Sequence, residues 1–241
     1  MSGKRGVMLL QDIMIFKRYE KKYRLTKAEY DTLMSKIVHE LVPDKHGIST
    51  ICSLYLDTPD YVLIRNSIEA ESYKEKLRLR SYGLPEGDKK LFFEIKKKYN
   101  GVVYKRRVSM TMNEAFKYID DGIMPIDSQI MREIDYAMKL YRQPKPKICI
   151  LCEREAYFTK DDPEVRLTFD RELRYRIGFP TSENITQGTP IVNDEERILE
   201  IKTPGAMPMW LARALSECGI FPAKFSKYAY AYYDVMKKEK E

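Results

Sequence analysis

The 241 residues exceed one typical domain length by about half, enough for a large core that needs no disulfide or metal staple. Apolar residues make up 44% and charged residues 33%, and the net charge is +7 with both signs abundant. That excludes a disordered polycation and describes a folded domain suited to an anionic partner. No apolar run approaches the ~20 residues of a membrane span, and Gln11 and Asp12 break the stretch 8–16, so no leader or membrane segment is expected. Four cysteines and two histidines exclude a disulfide framework and a His-rich metal site, and the chain reads as cytoplasmic. Gly-rich nucleotide loops and the Gly-x-Ser-x-Gly of Ser hydrolases are absent.

Residues 1–14, with Lys4 and Arg5, are expected to form a flexible arm, and a strand over 15–24 follows. Thr26 and Glu29 form a capping box that opens a helix over 26–42. Strands are expected at 49–57, 73–83, 90–99 and 102–110, with Gly83–Gly87 and Asn100-Gly101 as tight turns between neighbours. Helices at 112–120, capped by Thr111 or Asn113, and 127–141 follow, the second ended by Pro144 and Pro146. Strands at 147–159, 164–175 and 196–203 and helices at 207–218 and 224–238 complete the chain. Cys149 and Cys152 lie three apart on a strand, hence on opposite faces, which argues against a shared zinc. The expected fold is α+β: an antiparallel β-barrel tunnel of about eight strands with helices packed outside, formed by 1–241 as a single domain.

Alternation along these strands separates apolar from charged side chains. Lys74, Lys76, Arg78 and Arg80 share one face against Leu77 and Leu79, with neighbours ~6.6 Å apart. Glu94, Lys96 and Lys98 oppose Phe93 and Ile95; Lys105 and Arg107 share a face; Arg166, Thr168 and Asp170 oppose Leu167 and Phe169. Glu200 and Lys202 oppose Leu199 and Ile201, and Glu20 and Lys22 oppose Tyr23. The bland explanation is a sheet whose polar face meets water. Across six strands, however, those faces concentrate Arg and Lys, and like charges side by side repel. A charged lumen under outer helices accounts for the pattern better, and it calls for an anion of comparable charge. A linear polyphosphate fits, with a divalent cation held between phosphates by a few Glu.

Ordered segments then carry a resemblance. Arg18-Tyr-Glu-Lys-Lys-Tyr23, Ser53-Leu-Tyr-Leu-Asp-Thr58, Lys76-Leu-Arg-Leu-Arg80, Phe93-Glu-Ile-Lys96, Glu153-Arg-Glu-Ala-Tyr157, Val165-Arg-Leu-Thr-Phe-Asp170, Leu199-Glu-Ile-Lys202 and Lys224-Phe-Ser-Lys227 occur in sequence. Together they resemble the triphosphate tunnel metalloenzyme superfamily, and within it the VTC (vacuolar transporter chaperone) polyphosphate polymerase domain. The resemblance implies catalytic cations at Arg78, Arg80, Lys96, Arg154 and Arg166, and phosphate-binding cations at Lys22, Lys224 and Lys227; their place on the charged strand faces adds Lys76 and Arg107 to the phosphate-binding set. It implies a metal carboxylate at Glu200, with Glu20 and Glu94 as further candidates, and Mn²⁺ or Mg²⁺ as the metal. Arg154 also suits a structural ion pair, Glu200 also suits simple pairing with a cation, and Lys224 and Lys227, three apart, also suit an exposed basic helix end. Hydrolytic members of the superfamily carry Glu-x-Glu-x-Lys in the first strand; here Arg18 replaces the first Glu, ahead of Glu20 and Lys22. That favours a polymerase over a hydrolase. Eukaryotic members attach a phosphate-sensing SPX domain and a membrane segment, and neither is expected in this stretch.

The implied activity moves the terminal phosphoryl group of ATP or another nucleoside triphosphate to phosphate, pyrophosphate or a polyphosphate chain. Metal-dependent hydrolysis of tripolyphosphate or a nucleoside triphosphate, and non-catalytic polyphosphate binding, remain alternatives. Nucleic acid is not an expected partner, because the cations alternate on strand faces with Glu among them.

Overall fold

The structure, a computed structural model, describes residues 19–84, 89–100, 102–179 and 187–239. The arm at 1–14, residues 15–18 of the first expected strand, and the residues 85–88 and Gly101 of the two expected turns lie outside the described residues.

Ten strands form one antiparallel sheet. They are β1 (Tyr19–Thr26), β2 (Leu41–Pro43), β3 (Ser49–Asp57), β4 (Tyr73–Tyr82), β5 (Leu91–Tyr99), β6 (Val102–Met110), β7 (Lys145–Thr159), β8 (Arg166–Ile177), β9 (Thr189–Pro190) and β10 (Glu196–Thr203). The main path runs β1-β10-β8-β7-β3-β4-β5-β6, with β2 added to β7 and β9 to β8. The sheet curls into a half-barrel. Among the described residues no backbone ladder joins its edges β1 and β6. A side-chain contact spans the gap instead: Lys96 Nζ on β5 lies 3.4 Å from Glu20 Oε2 on β1.

The convex face carries the apolar set. Helices α3 (Met112–Asp121) and α4 (Gln129–Leu140) cover β3 to β6 through Leu54, Leu77, Leu79, Phe93 and Ile95. Helices α1 (Lys27–Ile37) and α5 (Met209–Glu217) cover β1, β10 and β8 through Tyr23, Leu25, Leu199, Ile201 and Leu167. Between α1 and α3 comes α2 (Val62–Glu69), and α6 (Lys227–Lys238) ends the described chain. The α6 helix packs on the concave side, where Tyr228, Ala231 and Val235 meet Tyr55, Ile148, Ile150 and Tyr175. Cys149 belongs to the convex core and Cys152 to the concave one, as strand alternation requires.

Local chemistry sets several boundaries. The capping box of Thr26 and Glu29 starts α1, and an equivalent box of Thr111 and Glu114 starts α3. The expected helix 26–42 is shorter than its pattern: α1 stops at Ile37, a 3₁₀ turn covers Val38–Glu40, and Leu41–Pro43 pairs with Tyr157–Thr159 of β7. Tertiary pairing overrides helical periodicity there. Pro146 does not merely end α4. It sits inside β7 opposite Leu56, next to a register shift, where a strand tolerates a missing N–H.

Candidate functional site

The concave side chains fall into rows across neighbouring strands. One row is Tyr55, Arg78, Glu94 and Arg107 on β3 to β6; the next is Lys76, Lys96 and Lys105 on β4 to β6. On the other flank Lys22, Glu200, Thr168 and Ala156 are in register, as are Glu20, Lys202, Arg166 and Phe158. Three lysines side by side repel one another unless anions separate them.

Four carboxylates stand among these cations, and each is shared by two or more. Glu94, 1% exposed, takes Arg78 at 2.7 Å and Lys105 at 2.6 Å. Asp170, fully buried, takes a fork of two bonds from Arg154 at 2.6 and 2.8 Å and an ion pair from Lys227. Glu20 lies 3.4 Å from both Lys22 and Lys96. Glu200 is 4.0 Å from Lys22 and also pairs with Lys202. Burial pushes these carboxyls up, but the cations win. Lys202, Lys22 and Arg154 hold Glu200 well below the ordinary carboxylate range, and Glu20, Glu94 and Asp170 are lowered as well.

Two cations are left over. Arg80 reaches Ser53 Oγ at 3.2 Å and comes no nearer than 4.0 Å to Glu94. Burial, with Arg78 and Arg154 close by, brings its guanidinium below its ordinary value. Lys76 donates to Ser226 Oγ at 3.2 Å, and burial, with Lys96 and Lys22 near, brings its amine down to about 8. Buried cations without a carboxylate are costly unless an anion joins them. Ser226 also caps α6, so the N-terminus of that helix faces the same space. Lys22 adds a bond to the Phe225 carbonyl at 3.2 Å, which ties β1 to the approach to α6.

Residues 17–235 match the profile of the VTC domain. The chain belongs to the VTC domain family. No curated protein sequence matches it. Its fold is similar to that of a candidate adenylate cyclase from Bacillus halodurans, with a TM-score of 0.52 and 14% identity over 87% of this chain and 95% of that one. A candidate adenylate cyclase from Vibrio parahaemolyticus is also similar, at a TM-score of 0.49 and 14% identity over 91% and 99% of the two chains.

Ten of the residues singled out in the sequence of this VTC domain meet on the concave side. Arg78, Arg80, Lys96, Arg154, Lys22, Lys76 and Lys227 surround Glu20, Glu94 and Glu200. The other three lie at the periphery. Arg166 stands at the rim, bonded to Asp44 at 3.0 Å with its guanidinium 5.1 Å from the Phe158 ring. Arg107 is exposed and stacks over Phe92 at 4.7 Å. Lys224 is exposed and does not share a helix face with Lys227, because α6 begins only at Lys227 behind its Ser226 cap. Arg18 lies outside the described residues.

Sequence reasoning gave no site role to Tyr55, Ser53 or Ser226, nor to Lys105 although it stood on a charged strand face, and it missed Asp170 as the partner of Arg154. Alternation in β3 does place Ser53 and Tyr55 on one face against Leu54 and Leu56, and that was the available signal. The Arg154–Asp170 fork joins two strands and has no local signature.

A divalent cation could be held here. Among the described residues no group of three or more His, Cys, Asp or Glu is arranged to bind a metal. Glu20 and Glu200, however, face each other across Lys22 and are hard oxygen donors. Thr168 Oγ1, in register beside Glu200, is buried with no hydrogen-bond partner. One or two carboxylates completed by phosphate oxygens and water are what Mg²⁺ or Mn²⁺ takes in nucleotide sites, so the donor set fits a cation that arrives with its phosphates. No helix among the described residues is long and apolar enough to cross a membrane.

Proposed function

We propose that this VTC domain is a polyphosphate polymerase-type phosphotransferase. It would take the terminal phosphoryl group of a nucleoside triphosphate, ATP in the first instance, and pass it to phosphate, pyrophosphate or a growing polyphosphate chain. The observation that carries this reading is the charge mismatch of the concave side: four carboxylates each shared by two or more cations, with Lys76 left without one and Arg80 only a distant third partner of Glu94 at 4.0 Å. A chain of phosphates supplies the missing negative charge in a shape that fits a groove between strands.

The residues then divide the work. Arg80 and Lys76 bind phosphate oxygens directly, since Lys76 has no carboxylate partner and Arg80 only a 4.0 Å contact with an already shared Glu94. Glu94 and Asp170 orient Arg78 and Arg154, whose buried guanidiniums stabilise charge spread over the transferring group. Lys22, Lys96 and Lys227 neutralise the flanking phosphates, and Ser226 offers its hydroxyl and the start of α6. Arg166, at the rim, meets the chain as it enters or leaves. Glu200, with Glu20, would hold Mn²⁺ or Mg²⁺, which polarises phosphoryl oxygens when bound. An oxygen of the acceptor phosphate would attack the terminal phosphorus in line as the bond to the nucleoside diphosphate breaks and that diphosphate leaves, so no protein nucleophile is required. We further propose that the chain acts as one tunnel domain in the cytoplasm, a reading supported by the four unpaired cysteines.

Incubating the purified protein with ATP and Mn²⁺ tests the reading. Polyphosphate longer than the donor's own three phosphates supports a polymerase. Free phosphate alone supports the hydrolase, and tight binding without turnover supports a polyphosphate-binding domain.

A further inference from the structure

Tyr55 lies between two halves of the cation set that come from distant parts of the chain. It is 8% exposed and touches both halves. Toward β4, its hydroxyl accepts a hydrogen bond from Nη1 of Arg78 at 3.1 Å. The remaining nitrogens of that guanidinium, Nε and Nη2, go to Glu94 at 2.8 and 2.7 Å. Toward α6, its ring stacks on Tyr228 with centroids 4.2 Å apart and planes 10° apart. Tyr228 directly follows Lys227, and its own hydroxyl is anchored on buried Asp57 at 2.9 Å. One ring therefore fixes both an arginine of β4 and the first turn of the helix that carries Ser226 and Lys227.

We propose that Tyr55 is the positioning residue of the phosphate site, holding Arg78 through its hydroxyl and the start of α6 through its ring so that both meet one anion. The inference rests on reading the lumen as a phosphate-chain site.

The physical basis is the company Tyr55 keeps. Arg78, Lys76 and Arg80 face it from β4 and Lys22 from β1; α6 presents Tyr228, backed by Asp57 of β3, and β7 presents uncharged Ile148 and Ile150. Burial pushes the phenol up, but Arg78, Lys76 and Arg80 outweigh it and bring it down to about 8. Tyr118 and Tyr228, buried beside carboxylates, move up instead. A phosphate chain among those cations cancels their pull, so burial then dominates and the phenol rises. Above a pH of about 8, binding takes one proton from solvent onto the Tyr55 oxygen. As a neutral phenol, Tyr55 accepts from Arg78 and donates to a phosphate oxygen at once.

The test follows phenolate absorbance in the near ultraviolet during a pH titration of the full chain, with and without saturating tripolyphosphate. Tripolyphosphate affinity is measured separately by calorimetry at neutral pH. One phenol should titrate near pH 8 in the free protein, move up by about one unit or more with tripolyphosphate, and be missing from Tyr55→Phe. That variant keeps the ring stack and should bind tripolyphosphate about five- to tenfold more weakly. A wild-type protein that binds tripolyphosphate while no phenol titrates early, or while the early phenol ignores the anion, would overturn the role of Tyr55 and leave the lumen reading standing. Wild-type affinity in Tyr55→Phe would do the same. A wild-type protein that does not bind tripolyphosphate would overturn the lumen reading, and this inference with it.

Discussion

The two faces of β4 and β5 are built on opposite terms. Outward, Leu77, Leu79, Phe93 and Ile95 are each 2% exposed or less and find apolar partners under α3 and α4. Inward, one residue along the same strands, Lys76 and Arg80 are enclosed without a carboxylate of their own. The convex face is complete in the free protein. On the proposed reading, the concave face is complete only when an anion joins it. Stability and binding thus sit on alternate residues of one strand, and substitutions one residue apart should have opposite signatures.

The largest effect is expected outside. Phe93→Ala should lower unfolding free energy by about 3–5 kcal/mol in a denaturant titration, while the folded fraction keeps its tripolyphosphate affinity. Arg80→Met on the inner face should do the reverse. It should unfold no earlier than wild type in anion-free buffer, because an enclosed charge with only a distant, shared carboxylate is gone, and it should bind tripolyphosphate roughly tenfold more weakly or worse. If both variants lost stability alike, the contrast between the faces would be wrong.

Glu94→Gln sharpens the contrast within the inner face. Its carboxylate serves Arg78 and Lys105 together, so its loss strands two cations and should cost about 3–5 kcal/mol. A change below ~1 kcal/mol would mark a solvated surface pair. Glu200→Gln separates metal binding from ion pairing. Metal-free tripolyphosphate binding should survive, since a negative charge is removed, while Mn²⁺-dependent turnover should fall on the order of 10²-fold. Full turnover at saturating Mn²⁺ would leave Glu200 as a partner of Lys22 and Lys202 only.

How much of this was legible follows the same division. Strict alternation makes the strands at 73–83, 90–99, 102–110 and 196–203 readable to within a residue or two, because one side of each strand had to be apolar. The same alternation placed Lys76, Arg80 and Glu200 on the inner face. It could not show that no ladder joins β1 and β6 among the described residues, which depends on how the whole sheet curls. It missed α2, whose first N–H groups are held by Asp57 at the end of β3 and whose preceding residue Tyr61 takes a left-handed φ of 56°. It gave Lys224 a helix position that Ser226, as cap, denies it.

The smallest expected effect is that of pH. Lys76 and Tyr55 both titrate lower in the folded protein than their ordinary values of 10.5 and 10.0. Between about pH 8 and 10 these two groups therefore hold more protons in the unfolded chain, so their contribution to stability rises with pH across that window. Cys152, pushed up by burial to about 11, pulls the other way. The melting temperature of the anion-free wild-type protein should therefore climb relative to that of Tyr55→Phe there, and saturating tripolyphosphate should shrink the difference. The same pH trend in both proteins would mean that the inner cations are not short of counter-charge.

The most direct test of a lumen completed by a phosphate chain is the melting temperature with tripolyphosphate and with sulfate at equal ionic strength. An anion that binds only the folded state raises it by linkage. Tripolyphosphate should raise it well beyond sulfate in the wild-type protein, and Arg80→Met should lose most of that excess. Equal shifts from the two anions, unchanged by Arg80→Met, would reduce the inner charge to ordinary surface screening and contradict the phosphate-chain site.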